Sequence, residues 1–300
     1  MAKVAVATAR RWAVTEHARN IHKITVDLER VGDEQRVLLM SDVHWDNPKC
    51  NRELLTHHLS QANDYDAPII DAGDWFCAMQ GKWDKRANKS DLRPEHQKAK
   101  YLDSLIDTAA DFWQPWKHLL TVRGQGNHET AILKNHETDL TQRVVEQLRT
   151  KGAEHIALGG YSGWIVFDMN YQGRRKPVKL HYHHGHGGGG AVTRGVIQTN
   201  RQAVYLADAD IVFTGHTHDA WQVPIARVRL NQDNTKLEHT RQVHVRVAGY
   251  KEEYGDGYGG WHVERGGAPK PVGSAWLIFR LVASNGSRYP YVDYDIVEAK

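Results

Sequence analysis

The stretch HLLTVRGQGNHE, residues His118–Glu129, joins an apolar run to a cluster of polar side chains. Its first part, HLLTV, has the length and composition of a buried β-strand. Its second part contains glycines that let the backbone turn tightly, followed by Asn127, His128 and Glu129. Reactive side chains just past the carboxyl end of a strand are typical of the sites of α/β sheets. The stretch therefore predicts a strand that brings a polar cluster to one edge of a sheet.

The same arrangement occurs at four other places in the chain. Short apolar runs lead into the polar sequences SDVHWD, GDWF, HHGHGG and GHTHD, and the runs lie at 37–40, 67–72, 177–182 and 210–214. Three segments between the runs have apolar residues at helical spacing, at 51–64, 94–116 and 137–152. The last third of the chain is rich in strand-like sequence, and IHKITVDLERV near the N-terminus resembles a further strand. We expect an α/β (α+β) fold with two packed mixed β-sheets flanked by helices.

The composition is that of an ordinary globular protein, with 300 residues, 40% hydrophobic and 25% charged. No apolar run approaches the roughly 20 residues that a membrane-spanning helix needs, so no membrane partner is expected. The N-terminal apolar stretch is interrupted by Arg10 and Arg11 and is too short for a secretory signal, which favours a cytoplasmic protein. The only two cysteines, Cys50 and Cys77, exclude a disulfide framework and a cysteine-rich zinc site.

We expect a single domain over residues 1–300 with two long additions. One is an insertion at about 76–117, and the other is a loop at about 250–272 that is rich in glycine and large aromatic residues. Loops of this length are usually functional or disordered. Within the insertion, Lys82–Lys100 carries seven positive and three negative side chains. This excess suits either the attraction of a polyanion or an ordinary solvated surface.

Five polar clusters follow the predicted strands in a fixed order. They are Asp42-Val-His44, Gly73-Asp74, Gly126-Asn127-His128-Glu129, His184-Gly185 and Gly215-His216-Thr217-His218. A single D-x-H or GD sequence occurs by chance, but all five in this order, mostly at strand ends, indicate one site. Histidine and carboxylate without thiolate suit manganese, iron or zinc.

The residue types also fit a centre of two metal ions. Two divalent ions about 3.5–4 Å apart can clamp both the attacking and the leaving oxygens of a phosphoryl displacement, and they need a bridging carboxylate. Alternate residues of a strand face the same way, so Asp42 and His44 are expected to reach one ion together. The same periodicity would align His216 and His218, although a turn there would send them to different ions.

In these motifs, from about Val37 to His218, the chain resembles the calcineurin-like metallophosphoesterase superfamily. The resemblance implies a four-layer sandwich of two β-sheets flanked by helices, with a two-metal centre between loops at the strand ends. It also implies a hydrolase acting on ester bonds, in which a hydroxide activated by two metals is the nucleophile. Mn²⁺ is the expected ion, with Fe, Zn and Ni as alternatives.

Residue by residue, the resemblance implies a role for each cluster. Asp74 would bridge the two ions, and His128 would stabilise the transition state or protonate the leaving oxygen, so that both are candidate catalytic residues. The other candidate ligands divide between a first ion and a second ion, with Asp42, His44 and His218 on the first and Asn127, His184 and His216 on the second. Glu129 is expected to have a structural role.

The sequence LHYHHGHGGGG, residues 180–190, contains more histidines than one ligand position needs. The family ligand occurs in an HG pair, which selects His184. His186 is the next candidate for that role and otherwise a candidate substrate contact, together with Arg123 and Trp45. His181 and His183 are expected to be structural.

The substrate stays open among several classes of phosphoester. The sequence GDWFCAM at the second cluster differs from the GDYVDRG of Ser/Thr protein phosphatases and argues against that branch. The basic insertion, with Trp83 in it and Trp75 and Phe76 just before it, favours phosphodiesters and a DNA or RNA nuclease, because basic side chains follow phosphates and aromatic rings stack on bases. The alternatives are a small-nucleotide phosphodiesterase, a phosphomonoesterase, and a non-catalytic interaction scaffold.

Overall fold

The computed structural model describes residues 10–79, 91–188, 190, 192–231, 233–255, 261–264, 266–284 and 288–300. Thirteen strands occur in this part of the chain: β1 (Trp12–Ala18), β2 (Ile21–Leu28), β3 (Glu34–Met40), β4 (Ile69–Asp71), β5 (Leu120–Arg123), β6 (Ala157–Leu158), β7 (Ser162–Tyr171), β8 (Arg174–His183), β9 (Ile211–Thr214), β10 (Trp221–Leu230), β11 (Leu237–Arg246), β12 (Ala275–Val282) and β13 (Tyr291–Glu298). The helices are α1 (Arg52–Asp64), α2 (Tyr101–Trp113), α3 (Asn127–His136), α4 (Leu140–Thr150), α5 (Ile197–Tyr205) and α6 (Trp261–Glu264).

The strands form two mixed sheets. One has seven strands in the order β1-β2-β7-β8-β9-β11-β10, and the other has six in the order β13-β12-β3-β4-β5-β6. Strands β3, β4, β5 and β6 are parallel, as are β8, β9 and β11, while the outer hairpins are antiparallel. The sheets pack on each other, with the rings of Phe167 and Phe279 4.9 Å apart. The predicted fold class, two mixed sheets flanked by helices, is confirmed.

The predicted helices correspond to α1, α2 and α4, with one difference. Helix α1 begins where Asn51 caps it by accepting a hydrogen bond from the backbone N–H of Leu54 at 2.9 Å. The expected helix over 94–116 is split into a 3-10 turn, Pro94–His96, and α2. Arg93 donates hydrogen bonds to the carbonyl oxygens of Asn47 and Cys50, which holds the turn against that loop.

Seven elements were not among the sequence predictions: β1, β6, β7, β10, α3, α5 and α6. Helix α3 matters most, because it begins at Asn127, inside the third polar cluster. Its first turn is closed by Glu129, whose Oε2 accepts the backbone N–H of Gly126 at 2.8 Å. The cap position is a glycine rather than Ser, Thr, Asp or Asn, so the usual signal for a helix start is missing.

Candidate metal centre

Parallel strands bring the five clusters to one edge of the sandwich. Every predicted ligand lies within five residues of the carboxyl end of β3, β4, β5, β8 or β9. Because β3, β4 and β5 are parallel neighbours, as are β8 and β9, the loops after each set leave the sheet on the same side. The candidate site therefore takes side chains from both sheets.

The first group joins Asp42, His44 and His218, whose ligand atoms all lie within 4.8 Å of one another. Nε2 of His44 is 3.2 Å from Nε2 of His218, and Nε2 of His218 is 3.6 Å from Oδ1 of Asp42. Asp42 is fully buried, and among the described residues its Oδ1 has no hydrogen-bond partner. Two imidazole nitrogens that face each other beside an unpartnered carboxylate oxygen fit a divalent cation.

The second group joins Asp74, His184 and His216 in the same way. Nε2 of His184 is 3.1 Å from Oδ2 of Asp74 and 3.1 Å from Oδ1 of Asn127. Nδ1 of His216 is 2.8 Å from the same Asn127 oxygen. Asn127 is therefore also brought into this group, as the sequence predicts. These two nitrogens and two oxygens again form a donor set that suits a divalent ion.

Asp74 and His128 connect the two groups. A third set of ligand atoms within 4.8 Å consists of His44, Asp74 and His128, so Asp74 lies against members of both groups. Its Oδ1 accepts the backbone N–H of His128 at 2.9 Å, and its Oδ2 is 3.8 Å from Nε2 of His128. The other ring nitrogen of His128, Nδ1, is 2.6 Å from the carbonyl oxygen of Cys77. Asp74 thus has the central position that a bridging carboxylate requires.

The backbone at the ligands is left-handed rather than extended. Five of them have positive φ, at 54° for Asp42, 53° for His44, 54° for Asp74, 75° for His216 and 54° for His218. Such conformations are uncommon outside glycine and cluster at functional sites. The expected reason for Asp42 and His44 to face one ion, alternation along a strand, is wrong, because β3 ends at Met40. The turn at 216–218 does separate its two histidines between the groups.

Two glycines allow the loops to approach this closely. A Cβ on Gly126 would overlap the carboxylate of Asp74, and a Cβ on Gly215 would overlap the side chains of Asp42 and Ser41. Both glycines precede ligands in the motifs, so their small size is part of how the site is built.

Glu129 fixes the loops that carry Asp74 and Asn127. Its Oε2 accepts the backbone N–H groups of Asp74 at 3.0 Å and Gly126 at 2.8 Å, and its Oε1 accepts that of Phe76 at 3.0 Å. The side chain is 1% exposed, and burial together with Asp74 raises its pKa to about 8. The geometry agrees with the structural role expected from the sequence.

The electrostatics of the site are those of closely packed, buried carboxylates and imidazoles. Burial and the neighbouring Asp74 raise the pKa of Asp42 to about 7, although His184 opposes them. For Asp74, burial also acts to raise the pKa, but His184 and His128 outweigh it, so the pKa is lowered. Burial acts to lower the pKa of His184, and Asp74 and Asp42 instead raise it to about 10. Burial, His218 and His128 lower the pKa of His44 well below its usual value, which favours a neutral imidazole ligand.

Two of the three predicted substrate contacts are buried, which corrects those predictions. The guanidinium of Arg123 is 1% exposed and lies 4.5 Å from the ring of Trp75 and 3.7 Å from Asp71. Trp45 is 4% exposed, and its ring lies 3.4 Å from the guanidinium of Arg52. Both side chains point into the interior beneath the loops. His186 is exposed and stays a candidate for substrate contact.

The aromatic residues before the insertion are also part of the core. Trp75 is 1% exposed and Phe76 is fully buried, so the predicted stacking of bases on them is wrong. Trp75 packs instead against Trp113, with ring centroids 5.1 Å apart. About half of the predicted basic segment, including Lys82 and Trp83, lies outside the described residues, as does part of the loop over 250–272.

The other histidines of the 180–190 sequence are supporting residues. His181 is 9% exposed and packs edge-on against Trp164, with ring centroids 4.9 Å apart. His183 accepts the backbone N–H of Gly185 through Nδ1 at 2.9 Å.

Among the described helices, none is long and apolar enough to cross a membrane.

Comparison with known proteins gives matches only at the level of structure. No protein-family model matches the chain, and no curated protein matches it. Similar solved structures include a metallophosphoesterase from Sphaerobacter thermophilus (16% identity, 89% of this chain and 90% of that chain, TM-score 0.33). Others are a predicted phosphoesterase from Streptococcus pneumoniae TIGR4 (12%, 89% and 99%, 0.32) and Vps29 complexed with Zn²⁺ from Entamoeba histolytica (11%, 88% and 99%, 0.33).

The described residues show the two mixed sheets and the ordered clusters at their strand ends. These are the fold class and the order of polar clusters that the sequence motifs predict.

Proposed function

We propose that the protein is a metal-dependent phosphoesterase that hydrolyses phosphodiester bonds. The observation that supports it most is the convergence of side chains from both sheets into two candidate cation groups, with the buried carboxylate of Asp74 lying against both. A pair of adjacent cation sites suits phosphoryl transfer, in which negative charge lies on several oxygens at once.

The residues present fit two divalent ions. Asp42, His44 and His218 would hold one, Asn127, His184 and His216 would hold the other, and Asp74 would bridge them. The unpartnered buried Oδ1 of Asp42 and the absence of thiolate from the set favour a borderline or hard cation, and we propose Mn²⁺, with Fe, Zn or Ni as alternatives. When bound, such ions polarise the phosphoryl group and acidify a water molecule.

His128 is the proposed proton donor to the leaving oxygen. Its Nδ1 lies 2.6 Å from the carbonyl oxygen of Cys77, which can only accept, so Nδ1 carries a hydrogen. Nε2 is then the atom that faces Asp74 and the metal centre, where a proton can be held for the leaving group.

The proposed substrate is a nucleic acid, which would make the enzyme a nuclease. The alternatives are a small-nucleotide phosphodiesterase and a phosphomonoesterase. The described part of the insertion keeps exposed Lys98 and Lys100, which suit a polyanionic phosphate backbone. Arg93 does not add to this surface, because it is bonded to the 47–50 loop. A phosphoester substrate, no membrane partner and a cytoplasmic location complete the proposal.

A direct assay tests the proposal. Bis-p-nitrophenyl phosphate and p-nitrophenyl phosphate are compared with Mn²⁺, with and without a chelator, and with Asp74→Ala as the inactive control. We expect chelator-sensitive turnover with the diester preferred. If protein that binds Mn²⁺ turned over neither compound, the proposal that it is an enzyme would be contradicted. Linear single- and double-stranded DNA and RNA then separate a nuclease from enzymes of small substrates.

A non-catalytic interaction scaffold is the second candidate. Scaffolds that lose hydrolysis are expected to lose ligands, whereas all seven positions here hold side chains able to bind a metal. The enzyme is therefore the function that the site supports best.

A further inference from the structure

The residue Cys77 contacts both histidines that flank Asp74. Its Sγ lies 3.1 Å from Nδ1 of His44, and its carbonyl oxygen lies 2.6 Å from Nδ1 of His128. The thiol is buried and also accepts a hydrogen bond from Nδ2 of Asn47 at 3.5 Å. One residue outside the ligand set therefore touches the same ring nitrogen in a candidate ligand and in the candidate proton donor.

These contacts decide which ring nitrogen carries the hydrogen. An imidazole that binds a metal through one nitrogen must carry its hydrogen on the other, and the partner of that N–H fixes the tautomer. In His44 the nitrogen that faces the metal centre is Nε2, 3.2 Å from Nε2 of His218, so a metal bound at Nε2 would leave the hydrogen on Nδ1, which lies 3.1 Å from Sγ of Cys77. In His128 the carbonyl oxygen imposes the same Nδ1–H tautomer.

The position of Cys77 is itself fixed by a buried carboxylate. Oδ1 of Asp46 accepts the backbone N–H of Cys77 at 2.6 Å, and its Oδ2 accepts that of Ala78 at 3.0 Å. The same Oδ2 accepts the hydroxyl of Tyr101 at 2.8 Å, which links the segment to helix α2. Ala78 has a positive φ of 48°, so the turn is held in a conformation that needs such support.

We propose that Cys77 is a positioning residue that sets the Nδ1–H tautomers of His44 and His128, with Asp46 fixing its backbone. The inference rests on the proposed function, because it gives His44 the role of a metal ligand. The thiol contact acts on His44 only, while the carbonyl contact acts on His128 whatever the side chain. Substitution of the Cys77 side chain therefore tests the contact with His44 and leaves the contact with His128 as an internal reference.

The first experiment needs neither metal nor activity. Protein labelled with ¹⁵N-histidine and stripped of metal is studied by long-range ¹H–¹⁵N NMR, with His44 and His128 assigned through His44→Gln and His128→Gln. We expect both rings as Nδ1–H tautomers in the wild type. In Cys77→Ala, His44 should shift towards a tautomer mixture while His128 stays unchanged. An Nε2–H tautomer at His44 in the wild type would overturn the inference.

The second experiment measures binding of Mn²⁺ alone by calorimetry. Loss of a supporting hydrogen bond to a ligand typically weakens metal affinity about 10- to 100-fold. We expect Cys77→Ala to weaken one of the two sites by that factor, and Cys77→Ser, whose hydroxyl can accept from Nδ1–H, to recover most of it. Cys50→Ala is the matched control, since it removes the other buried thiol, and its affinities should match the wild type.

The outcomes separate this inference from the proposed function. If Cys77→Ala binds both ions as tightly as the wild type, the positioning role is wrong even when the protein is an active phosphoesterase. If the wild type binds two ions but hydrolyses no phosphoester, the proposed function fails while the tautomer and affinity shifts still support the positioning role. If Cys77→Ala does not fold, the wild-type tautomer and the affinity of Cys77→Ser decide.

Discussion

The two sheets contribute different chemistry to the candidate metal centre. The six-stranded sheet delivers Asp42, Asp74 and Asn127, and thus all of the candidate oxygen ligands, together with His44. The seven-stranded sheet delivers only imidazoles. Because the negative charge lies on one sheet, bound cations would tie the neutral ligands of the other sheet to it. The centre is then a joint between the sheets as well as a site for chemistry.

The two sides are also supported differently. On the six-stranded side, the carboxylates of Glu129 and Asp46 each accept backbone N–H groups and fix the ligand loops. On the seven-stranded side, the backbone N–H of His216 donates to Oδ2 of Asp42 at 2.8 Å, and that of Gly215 donates to the carbonyl oxygen of His184 at 2.9 Å. The loop that carries His216 on the seven-stranded side is thus held in place partly by Asp42 of the six-stranded side.

The largest effect should come from removing the negative charge of Asp74, which lies between the two candidate cation groups. In Asp74→Asn the shape is kept but the bridging carboxylate is lost, so we expect at most one tightly bound Mn²⁺ and loss of diester hydrolysis. The loss should exceed the roughly 100-fold that follows from the loss of a supporting hydrogen bond. Calorimetry and kcat/KM measure both effects. Asp107→Asn, on the outer surface of α2, is the control. If Asp74→Asn still bound two Mn²⁺ ions tightly, the carboxylate of Asp74 would not be the link between the two cation sites.

The next largest effect should follow from a change that leaves both sides intact. In His128→Gln we expect both ions to bind as in the wild type, because no ligand is removed. Turnover should fall about 10²- to 10⁴-fold for substrates with poor leaving groups. The fall should be much smaller with a p-nitrophenyl leaving group, which needs little protonation. Equal losses for both kinds of leaving group would contradict the role of His128 as a proton donor.

The difference between the sheets extends to their strands. As bounded in the structure, the six-stranded sheet has no histidine in its strands, whereas the seven-stranded sheet has six: His17, His22, His181, His183, His239 and His244. Several of these are buried, and burial lowers the pKa of His181 and of His244 to about 4. The seven-stranded sheet should therefore be the acid-sensitive half of the metal-free protein.

His244→Gln tests this acid sensitivity. The folded pKa of about 4 lies below the ordinary 6.5, so above pH 6.5 the ring is neutral in both states and adds no pH dependence. As pH falls from 6.5 to about 4, the unfolded chain binds the proton first and stability is lost, by about 3 kcal/mol at most. Urea unfolding of chelator-treated protein at pH 7, 5.5 and 4.5 should show a shallower loss for His244→Gln. The exposed His239→Gln, on the same strand, should follow the wild type.

The sequence predicts the strands that carry the site because each combines an apolar run with a polar end. It predicts β3, β4, β5, β8 and β9, and it selects the residues that the fold brings together. What it misses is local conformation. Asp42 and His44 converge through left-handed backbone and not through strand alternation. Asp and His are enriched at positive φ, but this enrichment does not tell which of the many Asp and His residues adopt it.

The sequence is least informative about which side chains near the motifs are buried. Arg123 and Trp45 have the residue types of substrate contacts and lie next to the motifs, yet both point inward. The guanidinium of Arg123 lies between tryptophan rings and near a buried Asp71, a pairing of residues 52 positions apart that sequence spacing does not reveal. In the sequence, Cys77 is evidence only against a disulfide framework and a cysteine-rich zinc site, although its neighbour in the fold is a candidate ligand.

The smallest effect is expected at His186, two residues from His184 on the imidazole side. His184 is fully buried and lies 3.1 Å from Asp74, whereas His186 is exposed. His184→Ala should abolish binding of the second ion. His186→Ala should keep both ions and lose one substrate hydrogen bond of about 1 kcal/mol, which corresponds to a roughly fivefold increase in KM. Kinetics and Mn²⁺ calorimetry of the two variants give the answer, because a lost ion in His186→Ala would move the ligand to the second histidine and redraw the imidazole side of the centre.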